Sequence, residues 1–120
     1  MGLRDENVLG LIENISSFLN TILFTGLKLN VKEYENFEEF LELKLELKKY
    51  IEKKQFKLAE EKLFENLKLQ NKSHEVLRVT FWFYLKLNEF DDETLEKGGV
   101  KRDEIVDGLK KIEECLIGDI

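Results

Sequence analysis

Two segments of this chain share one pattern at a spacing of 34 residues. When residues 43–56, LKLELKKYIEKKQF, are placed on residues 77–90, LRVTFWFYLKLNEF, three positions are identical: Leu43/Leu77, Tyr50/Tyr84 and Phe56/Phe90. A fixed period of this size is typical of stacked helical hairpins, none of which can bury its apolar face alone. The spacing therefore predicts an all-α fold, favours an interaction module, and predicts that Tyr50 and Tyr84 occupy equivalent buried positions.

Composition limits the classes of protein to which the chain can belong. Its 120 residues are enough for one domain, and 42% hydrophobic with 37% charged residues suits thin helical layers rather than a disordered chain. The absence of proline makes long helices easy to build. A net charge of −6 without a dense basic block argues against nucleic-acid binding.

Cellular location is predicted from cysteine content and from the lack of targeting signals. The single cysteine excludes an internal disulfide framework and fits a reducing compartment. The start of the chain lacks the layout of a signal peptide, and no run reaches 18 apolar residues. We therefore expect a cytoplasmic protein that does not span a membrane.

Hydrophobic spacing and end signals predict one α-helical domain, residues 1–120, built as a small bundle of about five helices. An amphipathic N-terminal helix is predicted over 8–24, and a connector over 27–35. Asn36 is the expected N-cap of the next helix, with Glu39 completing a capping box. Further helices are predicted over 56–70, 74–89 (capped by Ser73) and 102–117, with a short helix capped by Asp91 between the last two.

The region 40–90 resembles the tetratricopeptide repeat, whose period is also 34 residues. That family places a tyrosine nine residues before an alanine, as Tyr50 and Ala59 are placed here. The second unit departs from the pattern, since Glu93 replaces the alanine and Gly98-Gly99 interrupts the helix. The resemblance implies two degenerate antiparallel hairpins over 36–107 whose first helices line a concave face. A generic bundle with chance periodicity is the alternative.

Five residues on these first helices are the candidate peptide-binding site. They recur every four residues, in register at a spacing of 34, and form a locally basic strip with one tryptophan: Lys44, Lys48, Arg78, Trp82 and Lys86. Such a strip suits an acidic peptide or a free C-terminal carboxylate. As groove residues, Lys44 and Lys48 are expected to contribute little to stability. The alternative is that helix 8–24 lies over Trp82 and closes the groove.

The N-terminal helix carries a second candidate interface. No charged residue occurs between Glu13 and Lys28, while a wide apolar stripe runs along 8–24. This segment either packs on its own domain, pairs two copies as a homodimer, or lies on a membrane surface. The last fits poorly because the polar face has no lysine or arginine.

Residues with catalytic or metal-binding chemistry are sparse. His74 and Cys115 are each single and far apart in sequence, and Asp91-Asp92-Glu93 lacks the spacing of a calcium loop. We expect no cofactor, no metal and no enzymatic activity. The sequence favours a non-enzymatic protein–protein interaction module, possible self-association included. The alternative is a small-ligand-binding or sensory bundle in which the aromatic helix 74–89 lines a pocket.

Overall fold

The computed structural model describes residues 2–67 and 73–118, with side chains from residue 7 onward. In these ranges the chain forms six α-helices and no strand: α1 (Gly2–Phe24), α2 (Leu41–Glu52), α3 (Phe56–Asn66), α4 (His74–Asn88), α5 (Asp92–Lys97) and α6 (Arg102–Ile117). Two 3₁₀ turns, Thr25–Leu27 and Glu33–Asn36, lie in the connector between α1 and α2. The predicted all-α small bundle is confirmed.

Helix α4 is the centre of the bundle. It packs against α1, α2 and α6, while α1 also packs along α6 and α3 packs on α2. Ten of its fifteen residues are buried, including the run from Val76 to Tyr84. A helix that is apolar nearly all round can be stable in water only when neighbours cover every side. The composition of α4 therefore explains its central position.

Most helix ends lie where the sequence predicts them. The hydroxyl of Ser73 accepts a hydrogen bond from Val76 N, and the carboxylate of Asp91 accepts one from Thr94 N, so both predicted N-caps are confirmed. Helix α6 has the predicted bounds. Helix α1 begins at Gly2, before the predicted start at residue 8. Helix α3 ends at Asn66 instead of residue 70, and residues 68–70 lie outside the described ranges.

The predicted start of α2 is wrong. Asn36 ends a 3₁₀ turn instead of capping a helix, and α2 begins at Leu41 after Phe40, which has a left-handed backbone at φ 53°. Glu39 does not complete a capping box, because its carboxylate binds Arg78 of α4. A tertiary ion pair has thus displaced the local capping interaction, and the unusual conformation of Phe40 turns the chain into α2.

The two tyrosines at equivalent positions of the 34-residue pattern have different surroundings. Tyr84 is 4% exposed, lies over Gly108 of α6, and donates a hydrogen bond to Glu60 Oε2 at 3.0 Å. Tyr50 is only half-buried. The predicted equivalence of the two sites is therefore wrong, because α6 covers Tyr84 whereas Tyr50 stays partly exposed.

The contact of Tyr84 with Gly108 gives a direct test of the packing between α4 and α6. A Cβ atom at Gly108 would lie 2.5 Å from two atoms of the Tyr84 ring. We expect Gly108→Ala to lower the free energy of unfolding by about 1–3 kcal/mol, because overpacking forces the two helices apart. Urea unfolding followed by circular dichroism measures this change.

Gly10→Ala is the matched control, since Gly10 is also within a helix and a Cβ there would meet nothing within 4 Å. It should raise the free energy of unfolding by roughly 0.5–1 kcal/mol through helix propensity alone. A stabilising effect of both alanines would contradict the close packing of α6 on Tyr84.

Candidate functional site

The five residues of the predicted peptide site lie on α2 and α4, and the chain itself covers three of them. Lys44 is fully buried. Its ammonium group donates hydrogen bonds to the carbonyl oxygens of Tyr34, at 2.5 Å, and Phe37, at 2.7 Å. The same group lies 3.6 Å from the centroid of the Tyr34 ring, a cation–π contact. Burial lowers the pKa of Lys44 to about 8.

Arg78 donates three hydrogen bonds to two groups from other segments. Its Nε and Nη2 donate to the two carboxylate oxygens of Glu39 at 2.9 and 2.8 Å, and its Nη1 donates to the carbonyl of Leu23 at 3.2 Å. Although burial opposes the change, hydrogen bonds from Arg78 and Tyr34 lower the pKa of Glu39. This bidentate pair, with the arginine side chain only 9% exposed, is of the strong type.

Lys48 and Lys86 share one carboxylate. Glu35 Oε1 lies 2.7 Å from the Lys86 ammonium nitrogen and 3.4 Å from that of Lys48. The close Lys86 ammonium is the main cause that lowers the pKa of Glu35. Both lysine side chains remain about one third exposed, Lys48 at 33% and Lys86 at 27%. They are the only two of the five predicted site residues that solvent reaches appreciably.

Trp82 is a core residue. It is 1% exposed, and its indole Nε1 has no hydrogen-bond partner among the described residues. The expectation that Lys44, Arg78 and Trp82 line an open groove is therefore wrong. The expectation that Lys44 contributes little to stability is also unsupported, because its ammonium group is buried and makes two hydrogen bonds.

The segment that closes this face is residues 33–39, EYENFEE, which we call the acidic–aromatic segment. Tyr34 is fully buried, stacks on Phe37 and contacts Phe24 edge-on. The segment also holds the four basic side chains described above: Glu35 pairs with Lys48 and Lys86, Glu39 binds Arg78, and two backbone carbonyls bind Lys44. The sequence prediction treated this segment as a connector and a helix start. Four glutamates and two aromatic residues within seven positions were the signal that could have identified it as a partner for the basic strip.

The second predicted interface, α1, presents two different faces. One face enters the core through Ile12, Ile15, Leu19, Leu23 and Phe24. The other leaves Leu11, Phe18 and Ile22 about 40% exposed, at 43%, 39% and 42%. These three residues recur at spacings of seven and four, so they share one side of the helix. We call them the apolar stripe; the exposed side chains beside it from Asn14 to Gly26 are uncharged.

By length and composition alone, one helix of the described part could cross a membrane. It is the stretch Asn7–Leu27, whose mean hydropathy is 1.4, and 28% of its most apolar window is buried in the bundle. A core helix of a soluble protein and a signal sequence pass the same test, so this is weak evidence. The expectation that the chain has no membrane span stays a prediction.

The residues considered for catalytic or metal-binding chemistry lie far from one another in the chain or have a capping role. His74 is exposed at the first residue of α4, and Cys115 is half-buried on α6. Asp91 caps α5, as described above. Within residues 2–67 and 73–118, no group of three or more His, Cys, Asp or Glu side chains is arranged to hold a metal ion.

The fold defines a small helical bundle with a closed charged face and an exposed apolar stripe. The chain belongs to a family of unknown function, DUF6483, whose model matches residues 3–116. No curated protein and no solved structure matches it.

The buried ammonium group of Lys44 predicts a pH dependence of stability. In the unfolded chain Lys44 keeps its proton up to its usual pKa of about 10.4, whereas in the folded chain it loses it near pH 8. Between these values the unfolded state binds more protons, so the free energy of unfolding should rise with pH by roughly 2–3 kcal/mol from this group. Below pH 8 the contribution of Lys44 to the free energy of unfolding should not change with pH.

Lys44→Met removes this titration while retaining an unbranched side chain. The difference in unfolding free energy between the natural protein and Lys44→Met, measured by urea titration at several pH values, should therefore increase above pH 8. Lys49→Met, at an exposed lysine of the same helix, is the control and should follow the natural protein. Parallel curves for all three proteins would show that Lys44 is not a buried cation.

The pair between Glu39 and Arg78 predicts a large difference between two neighbouring glutamates. Glu39→Gln leaves a nearly buried guanidinium group without its counter-charge and should cost about 2–4 kcal/mol of stability. Glu38→Gln, at the adjacent exposed residue, should change stability by less than about 0.5 kcal/mol. Chemical denaturation compares the two, and equal small effects would refute the structural role of Glu39.

Proposed function

We propose that this chain is a non-enzymatic protein–protein interaction module, tetratricopeptide-like over 36–107, that self-associates through α1. The observation that carries the proposal is the apolar stripe, Leu11, Phe18 and Ile22, on a side of the helix without charge. A charged surface must be desolvated or paired when an interface forms, whereas this one can be buried at little polar cost. The single half-buried cysteine fits the cytoplasmic location that is part of the proposal.

A second copy of the chain is the partner that suits this surface best. In an antiparallel pair of α1 helices related by a two-fold axis, Leu11 of one copy meets Ile22 of the other, and the two Phe18 side chains pack near the axis. Antiparallel helices also place opposite ends of their dipoles together. One short stripe therefore becomes a self-complementary interface without any change of the fold.

The size of the stripe sets the strength of such a dimer. Three side chains that are about two fifths exposed offer roughly 1 kcal/mol each on burial, or about 6 kcal/mol for two copies. The loss of translational and rotational freedom on association offsets most of this gain. We therefore expect a weak dimer that forms at high protein concentration, and neighbouring threonine and asparagine side chains would add hydrogen bonds.

Capture of an acidic peptide by Lys44, Lys48, Arg78, Trp82 and Lys86 is the less favoured version. It requires the acidic–aromatic segment to leave its place. That departure breaks the bidentate contact of Glu39 with Arg78 and the contact of Glu35 with Lys86, and it exposes Tyr34. Self-association through α1 requires none of these losses.

Sedimentation velocity from micromolar to millimolar concentrations tests the proposal. The natural protein should show a concentration-dependent shift from monomer to dimer, and Phe18→Glu should remain monomeric, because it places a charge at the centre of the buried stripe. Ser17→Glu adds the same charge at an adjacent exposed residue off the stripe and should still dimerise. A monomer at every concentration, or loss of the dimer in both variants, would contradict the proposal.

A further inference from the structure

A cavity of about 610 Å³ lies on the side of the bundle formed by α3, α4 and α6. Its apolar lining comes from one or two residues of each helix: Phe64 on α3, Leu77 and Tyr84 on α4, and Ile112 and Cys115 on α6. Its volume is within the range of pockets that bind small organic molecules. Neither α1 nor the acidic–aromatic segment lines it, so it is separate from the interfaces discussed above.

The packing of the helices explains why this space is open. Helix α3 packs on α2, while α6 packs on α4 and α1, so α3 and α6 face each other across a gap. The hydrogen bond from the Tyr84 hydroxyl to Glu60, at 3.0 Å, bridges the gap at one place. Gly108 lets α6 approach the Tyr84 ring there. The buried Tyr84 side chain therefore contacts both α3 and α6 at this side of the cavity.

The charges around the cavity are mainly negative. Four carboxylates line it, from Glu60, Glu104, Asp107 and Glu114, against two ammonium groups, from Lys57 and Lys111. Lys57 is already paired with Glu60 at 3.1 Å, which leaves Lys111 facing three carboxylates. Burial, followed by the charge and hydrogen bond of Glu60 and by the charge of Glu104, raises the pKa of Tyr84.

We propose that this cavity binds a small organic cation with an apolar or aromatic body. The apolar body would lie against Phe64, Leu77 and Ile112, and the ammonium group would lie at the rim near Asp107 and Glu114. An anion of the same shape would meet an excess of like charge, and a neutral one would lose the charge-assisted contact. Charge and shape together thus select the cation.

Three indoles of similar size test this selection: tryptamine as the cation, 3-ethylindole as the neutral molecule and indole-3-propionate as the anion. Isothermal titration calorimetry on the full chain should show that tryptamine binds about three- to fivefold more tightly than either of the others, a difference typical of one partly exposed ion pair. Higher salt should weaken the binding of tryptamine and leave the binding of 3-ethylindole unchanged.

Cys115 reports where the ligand binds, because it lines the cavity and is the single cysteine of the chain. Saturating tryptamine should slow the alkylation of Cys115 by iodoacetamide, followed by mass spectrometry. Protection would place the indole in the cavity rather than elsewhere on the acidic surface. Binding without any protection of Cys115 would overturn the proposal.

Variants separate the rim charges from general electrostatics. The double variant Asp107→Asn/Glu114→Gln keeps size and changes two exposed residues, so it should fold normally and bind tryptamine several-fold more weakly. Glu113→Gln removes a carboxylate of the same helix that does not line the cavity and should bind as the natural protein does. No binding of any indole, equal binding of all three, or equal weakening in both variants would each refute the proposal. Since α1 is not involved, the outcome is independent of dimer formation.

Discussion

The ion pair between Arg78 and Glu39 belongs to a cluster that joins three parts of this molecule lying far apart in the sequence. The guanidinium group binds a carboxylate 39 residues away and a carbonyl oxygen 55 residues away, so the end of α1, the connector and the central helix meet at one side chain. A buried arginine is tolerated only when its donors are satisfied. The course of the connector, and hence the position of α1 on the bundle, depends on supplying those acceptors.

Local signals in the sequence predict part of the fold. Ser73 and Asp91 cap their helices through their own side chains, and the all-round apolar pattern of α4 indicates a central helix from composition alone. The start of α2 was not predictable in this way. Its local capping signal, Asn36 followed by Glu39, is sound, but the carboxylate gains more by pairing with a distant arginine than by capping a helix.

The sequence likewise indicates only part of the candidate site: it identifies the basic residues but not the segment that binds them. Lys44 and Arg78, which the spacing of 34 residues assigns to one strip, both bind the segment around Tyr34 and Glu39. What spacing could not indicate was that the acidic ligand of the basic strip lies in the chain itself. A pattern of charges defines what a surface attracts, whereas the source of the partner depends on which segments the tertiary fold brings within reach.

The environment of Trp82 has a spectroscopic consequence. It is the only tryptophan of the chain, it is almost fully shielded from water, and its indole N–H has no acceptor among the described residues. Its fluorescence should therefore be emitted at short wavelength, as from an indole in a hydrocarbon solvent. Because the ring is buried and does not line the cavity, the emission should remain nearly constant while the cavity is occupied. The natural protein thus contains an optical probe that responds to the opening of its core and to little else.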